Sequence, residues 1–400
     1  VHEVDRSQGL RIGFVTAFPP GRNSLNEFGW HCVTNLAAKP EVAEIVLFAD
    51  QTDQGRPTPV HGVEARIAWR FNSALNPLRI AWHVSRSRPD VVMFNLQFAT
   101  FGDTKIAGGL GLLTPLVLRL LKVPTVVILH NLVENVDMQD AGFARSSVMA
   151  RLLKAVGTAL TKAILRADYV ALTIPRYVEL LRSKYGSDNV LLAPHGAFDE
   201  IDEPTYELPP GTRKVLAFGK WGTYKTVEIL IEAYRELLER GYDDVGIVIA
   251  GTDSPNSPGY LAGVKAGCAD LADVTFTGYV AEEDVPRLFT EAAVTVFPYT
   301  STTGSSGVLH QAGSFGRCAV LPAIGDFIEV IEEEGFVGEY FEPGDARGLA
   351  DALAKLLDDD QLRREQGRRN FAAASGIPMT EVMDWHLFHV QRILDRRARQ

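Results

Sequence analysis

The chain has 400 residues, too many for one ordinary core and enough for two domains of about 200 residues each. With 46% hydrophobic and 22% charged residues it has the balance of a soluble globular protein, which excludes a fibrous or wholly disordered chain. Residues 1–205 carry 21 Lys+Arg and 20 Asp+Glu, and residues 206–400 carry 19 and 30; the halves are +1 and −11, summing to the net −10, and the acidic second half argues against nucleic acid as a partner.

Residues 1–10 are polar and charged, unlike a signal peptide. The run 11–16 reads as a buried strand, followed by a loop over 18–28 and a helix over 29–38. Further apolar strands are expected at 45–49, 91–95, 125–130 and 169–173. Runs of this length separated by helical patterns predict a parallel sheet covered on both faces. The longest apolar stretch, 106–121, contains Pro115 and Arg119 and is too short to span a membrane. The run 143–167 is amphipathic and basic, with Arg145, Arg151, Lys154, Lys162 and Arg166 and no acid. It suits either a helix packed on the sheet or peripheral contact with an anionic membrane or a lipid-linked acceptor.

A polar, proline-bearing stretch at 200–211 reads as a linker. Strand and helix then alternate again: strand 214–218, helix 226–240, strand 245–250, helix 259–270, strand 273–277, helix 282–291, strand 293–297, helix 307–315 and strand 318–321. The pattern predicts an α/β protein of two doubly wound, Rossmann-like domains facing across a cleft. The first covers 1–205, joined by a returning helix near 379–400; the second covers 206–378. In such sheets ligands bind beyond the carboxyl ends of the strands.

Two signals lie at those ends in the second half. Phe218-Gly219-Lys220-Trp221-Gly222-Thr223-Tyr224-Lys225 places two lysines five residues apart after a strand. Thr303-Gly304-Ser305-Ser306-Gly307-Val308-Leu309-His310-Gln311 is a glycine- and serine-rich loop running into a helix. Cations meeting free helix-start N–H groups would bind a diphosphate. The bland alternatives are solvated lysines and an ordinary helix start capped by Ser305 or Ser306. His130 ends a strand at the ligand-facing edge of the first domain, or is simply a satisfied core histidine. Gly29, in the expected loop, would let backbone approach a phosphate or an acceptor, or mark a plain turn. Asp358-Asp359-Asp360 contains a D-x-D but ends a helical stretch far from these loops. Cys32, Cys268 and Cys318 lie far apart and form no C-x-x-C pair, which argues against a disulfide framework or a zinc site and fits a reducing cytoplasm.

Together the order of signals resembles a family 4 glycosyltransferase of the GT-B fold: Pro89-Asp90-Val91-Val92, the strand ending in His130-Asn131, Ala167-Asp168, Pro194-His195-Gly196, the two-lysine loop, Thr277-Gly278-Tyr279-Val280, the 303–311 loop and Glu342-Pro343-Gly344-Asp345. The resemblance is strongest over 214–353. It implies transfer of a sugar from a nucleoside-diphosphate sugar to an unknown acceptor with retention of configuration. With lysines and helix N–H groups supplying positive charge, no metal or other cofactor is expected, and the protein is expected to be cytoplasmic, alone or at the inner face of a membrane. Lys220 and Lys225 would grip the donor diphosphate, with Lys220 standing where the family has arginine. His130 would lie near the transferred sugar, Tyr279 and Val280 near the base, and Gly219 and residues 303–309 around the donor. The family's E-x7-E glutamates are replaced by Thr303 and Gln311, the first at the sugar and the second at the ribose. That departure leaves open a binding-only relative, and a GT-B sugar-nucleotide epimerase remains a second alternative.

Overall fold

The computed structural model describes residues 9–132 except 22 and 24, residues 147–198, and residues 202–399 except 255 and 302–305. Two compact units divide it. One gathers the described residues before Asn135, Arg151–Phe198 and those from Pro378 onward; the other is formed by the described residues among 147–150 and Asp199–Ile377.

The first unit holds a seven-stranded sheet in the order β3-β2-β1-β4-β5-β6-β7. Its strands are β1 (Leu10–Val15), β2 (Val42–Gln51), β3 (Val63–Arg70), β4 (Val91–Leu96), β5 (Thr125–Leu129), β6 (Tyr169–Leu172) and β7 (Val190–Leu192). Every neighbouring pair is parallel. The helices are α1 (Asn26–Ala37), α2 (Asn76–Ser87), α3 (Lys105–Leu112), α4 (Thr114–Leu120), α5 (Ser147–Ile164) and α6 (Pro175–Tyr185). Central strands such as β4, Val-Val-Met-Phe-Asn-Leu, are buried along their whole length, so they read as continuous apolar runs. The edge strand β3 interleaves Glu64, Arg66 and Arg70 with Val63, Ile67 and Trp69 and gives no such run, which is why its sequence does not announce a strand.

The second unit holds a six-stranded parallel sheet in the order β10-β9-β8-β11-β12-β13. Its strands are β8 (Arg213–Trp221), β9 (Val245–Asp253), β10 (Val274–Gly278), β11 (Ala292–Val296), β12 (Ala319–Pro322) and β13 (Glu339–Phe341). The helices are α7 (Glu228–Glu239), α8 (Tyr260–Gly267), α9 (Val285–Glu291), α10 (Gly307–Ser314), α11 (Gly325–Glu333), α12 (Ala346–Asp358) and α13 (Asp360–Ser375). Asp359 caps α13, accepting from the Leu362 N–H at 2.9 Å, Asp358 accepts from the Tyr242 hydroxyl, and Asp360 pairs with Arg363. The D-x-D is therefore a helix junction.

The last helix, α14 (Met379–Ala398), packs in the first unit beside α1. It buries Val382, Met383, Leu387, Val390 and Ile393 in the same core as Ile12, Phe14 and Met93. Each such side chain contributes about 1.5–3 kcal/mol of apolar burial before entropy is counted, so Met383→Asp would detach this helix. Trp385 and Phe388 of the same helix stay exposed.

Candidate functional site

In both sheets the strand order reverses beside the first strand, between β1 and β4 and between β8 and β11. The carboxyl ends of strands at such a reversal are where open α/β sheets bind ligands.

In the second unit Lys220 lies in the last turn of pleat of β8 and Lys225 follows a tight turn. The turn closes through the Gly222 N–H, which donates to the Lys225 carbonyl at 2.9 Å. Gly222 has φ +102°, and a Cβ there would come within 2.6 Å of Ser257 Cβ, so glycine is required. Lys225 then bridges antiparallel to Tyr299, and the Thr300 N–H donates to the Tyr224 carbonyl at 2.9 Å. The lysine turn is thereby stitched to the segment leaving β11. Lys225 Nζ sits 4.5 Å from the Tyr299 ring centroid and 5.9 Å from that of Tyr224, in cation–π range. It also lies over bare backbone, for a Cβ on Gly219 would meet it at 3.8 Å. Gly219 pairs with Gly251 of β9, whose φ is +111° and whose added Cβ would fall 1.9 Å from the Gly219 carbonyl oxygen.

Burial opposes charge on Lys225, but the tyrosine oxygens, Tyr299 before Tyr224, more than offset it and hold its pKa above the ordinary lysine value. Lys220 is exposed and is shifted the other way, below that value, by loss of solvation and then by the Lys225 charge. Two like charges this close favour a bound anion.

Ser306 caps α10, its Oγ accepting from the Leu309 N–H at 3.4 Å. The Leu309 N–H also bonds the Ser306 carbonyl at 2.9 Å, so it is not available to a phosphate, contrary to the sequence expectation. The N–H groups of Gly307 and Val308 have no partner among the described residues. Gln311 is half-buried on the same helix. Thr303, Gly304 and Ser305 lie outside the described residues. Tyr279, exposed, and Val280, half-buried, follow β10 at the same carboxyl edge of the sheet, two strands away from β8. Among the described residues no group of three His, Cys, Asp or Glu is placed to hold a metal.

In the first unit Gly29 belongs to α1 and not to a loop, because the helix begins at Asn26. Its N–H is spent on the Leu25 carbonyl at 2.9 Å. A Cβ on it would lie 2.3 Å from Thr16 Oγ1, so this glycine lets the helix press on the end of β1. Against that contact stands a chain of polar groups. Thr16 Oγ1 donates to the Ala17 carbonyl at 2.9 Å. Its one hydrogen is used there, so Thr16 accepts from Asn95 Nδ2 at 3.0 Å. The same Nδ2 donates to the Leu25 carbonyl at 3.2 Å. The Asn95 oxygen therefore faces His130 Nε2, 2.7 Å away, and Nε2 must carry the proton. Burial lowers the His130 pKa to about 4, which agrees with a neutral ring. Nδ1 is left as an acceptor, with no partner among the described residues. Phe28 packs edge-on against both His130 (4.5 Å) and His195 (4.9 Å), and Phe198 stacks on His31.

The sequence profile of the family described as "Glycosyl transferases group 1" matches residues 212–359, the core of the second unit. An alpha-D-kanosaminyltransferase of Streptomyces kanamyceticus is 34% identical over 151 residues, 37% of each chain. The match thus spans under half the length of that relative. Sucrose-phosphate synthase from Thermosynechococcus elongatus superposes with a TM-score of 0.73 at 17% identity, over 97% of this chain and 100% of its own. Anabaena HepE in complex with UDP and glucose gives 0.65 at 16%, over 96% and 99%. These likenesses establish the fold of the GT-B glycosyltransferases, two Rossmann-like units.

Asn95, Thr16, Tyr299, Tyr224 and Gly251 escape a reading of the sequence. Only Gly251 leaves a trace, as a glycine closing the apolar run 245–250. The others act through partners distant in the sequence: Asn95 through Thr16 and His130, 79 and 35 residues away, and Tyr299 through Lys225.

Proposed function

We propose that the protein is a retaining glycosyltransferase that moves a sugar from a nucleoside-diphosphate sugar to an acceptor hydroxyl. The observation that carries this reading is Lys225, held by Tyr299 over the bare backbone of Gly219 at the strand-order reversal of the second unit. As the bond from the anomeric carbon to the diphosphate breaks, negative charge grows on the leaving oxygen, and the two ammonium groups stabilise it. The acceptor oxygen bonds to the anomeric carbon on the face being vacated, and a diphosphate oxygen takes its proton. Gly307 and Val308 offer N–H groups to the phosphates, and Gln311 an amide to the ribose. In the first unit, neutral His130 offers Nδ1 as an acceptor suited to a hydroxyl. The two lysines supply the charge a metal would otherwise provide, so turnover survives chelation.

The HepE structure was solved with UDP and glucose, and the Streptomyces relative is named for a kanosaminyl group. Both kinds of donor therefore belong in the test. Incubation with UDP-, GDP- and TDP-linked hexoses and amino sugars, with and without chelator, should release nucleoside diphosphate from one class. Folded protein that binds nucleotide yet releases none from any donor sinks the enzymatic reading. It would establish the second reading, a nucleotide-sugar binder, which Thr303 and Gln311 favour, standing where the resemblance implies glutamates.

A further inference from the structure

The first unit carries an exposed surface that the donor chemistry does not use. It lies where the edge strand β3 meets α2. α2 has two opposed stripes. Asn76, Ile80, Val84 and Ser87 are buried against the unit. Leu75, just before the helix, with Leu78 and Trp82 points outward, leaving 54, 67 and 54% of each exposed, and Ile67 of β3 joins them at 44%. These four line one shallow depression. Scattered exposed leucines are ordinary; a contiguous group with a tryptophan marks an interaction surface.

Its charge selects the partner. Arg79 and Arg86 share the outward stripe of α2, with Arg66 and Arg70 beside them on β3. The Arg86 guanidinium lies 4.9 Å from the Trp82 ring centroid. Only Arg66 among these four is paired with a carboxylate among the described residues, that of Glu64. His83, between them, has its pKa lowered by burial and then by the Arg66 and Arg86 charges. The patch is thus cationic on a chain of net charge −10.

We propose that this β3–α2 surface docks the protein on an anionic lipid bilayer, with Leu75, Leu78, Trp82 and Ile67 entering the headgroup boundary and the arginines meeting lipid phosphates. Apolar side chains that stand out by half or more suit a soft interface that closes round them. Arginines whose stems lie along apolar surface keep their heads at the phosphates, and tryptophan favours that depth. A second copy is disfavoured, since a two-fold pairing of this patch would set arginine against arginine. On α5, by contrast, Val156 is the exposed large apolar side chain among those described.

The test is flotation of the whole chain with vesicles of phosphatidylcholine alone or mixed with phosphatidylglycerol. It needs no turnover and is independent of the catalytic reading. Binding is expected on the mixed vesicles only, lost in high salt. Arg79→Glu/Arg86→Glu should lower it by about tenfold or more, and Leu78→Ser/Trp82→Ser comparably, with thermal melts unchanged because these side chains are exposed. The proposal is overturned if the parent binds neither vesicle. It is equally overturned if Lys162→Glu/Arg166→Glu, on α5 and just after it, abolishes binding while the α2 variants do not. A parent that self-associates in solution and becomes monomeric in Leu78→Ser/Trp82→Ser would assign the surface to a second copy instead, and an acidic peptide that binds it where vesicles do not would assign it to a protein.

Discussion

The two units repeat one topology and equip it oppositely. Each is an all-parallel sheet whose order reverses beside its first strand. In the second unit that reversal is cationic and stripped of side chains: Lys220 and Lys225 beside Gly219 and Gly251. In the first it is neutral and crowded: His130, Asn95 and Thr16 in one hydrogen-bond chain, walled by Phe28. A shared fold thus provides a place for chemistry but does not choose it. Positive charge over bare backbone suits an anion that must approach closely. A neutral imidazole with a fixed proton suits a hydroxyl.

The sharpest way to break this contrast is Lys225→Ala. Removing the better-held ammonium should lower donor turnover by on the order of 10²–10³, about 2–4 kcal/mol of barrier. The Tyr299 bridge is made by backbone, so the fold should survive. Initial rates with the protein's best donor check this, and unchanged turnover in a folded variant removes Lys225 from the site.

The neutral unit has its own signature in acid. His130 titrates near 4 when folded and near 6.5 when unfolded. Between those values the unfolded chain holds the extra proton, so the contribution of neutral His130 is complete above pH 6.5 and is lost as pH falls toward 4. The full span is on the order of 3 kcal/mol. His130→Gln should flatten this part of the stability–pH curve, and the difference between the two urea-midpoint curves isolates the residue. Asn95→Asp places a carboxylate on Nε2 and should raise the His130 pKa, read from its ring signals by NMR. An unmoved pKa would undo the assigned hydrogen-bond chain.

Alkaline pH tests the cationic unit. Lys220 titrates below the ordinary lysine value and Lys225 above it. Nucleoside diphosphate affinity should therefore begin to fall before the usual lysine range is reached, by about tenfold as the first ammonium is lost. Lys220→Arg, which stays charged, should remove that early fall. Calorimetric titrations across the range decide it; an identical profile in Lys220→Arg would show that Lys220 does not touch the anion.

What the sequence disclosed follows from the same contrast. Strands buried on both faces are continuous apolar runs, so β4, β5, β9 and β11 were legible. The lysine turn was legible because lysines and glycines after a strand are local signals. Gly29 misled, because its reason is steric and lies in Thr16, and the helix starts three residues sooner than expected. Asn95 was silent because it sits inside a buried apolar strand and its meaning depends on Thr16 and His130, 79 and 35 residues distant. Edge strand β3 was silent because its outward residues are charged.

The smallest expected effect belongs to Gln311, the residue of the cationic unit set where the family resemblance implies a glutamate. It is half-buried on α10, whose Gly307 and Val308 N–H groups face away from the helix ladder. A carboxylate in its place would accept two hydrogen bonds from a ribose diol; an amide accepts on one side and donates on the other. Its net worth is that of a neutral hydrogen bond, about 1 kcal/mol. Gln311→Ala should thus weaken nucleoside diphosphate binding about fivefold, with little change in the maximal rate, because the ribose bears no charge in the reaction. Gln311→Glu should restore affinity for ribonucleotides while adding repulsion toward the phosphates, visible as a stronger salt dependence. The comparison of ribo- and 2′-deoxy-nucleotides is decisive. If the parent binds both equally and Gln311→Ala leaves that equality and the affinity untouched, Gln311 serves the helix alone and the ribose is held elsewhere.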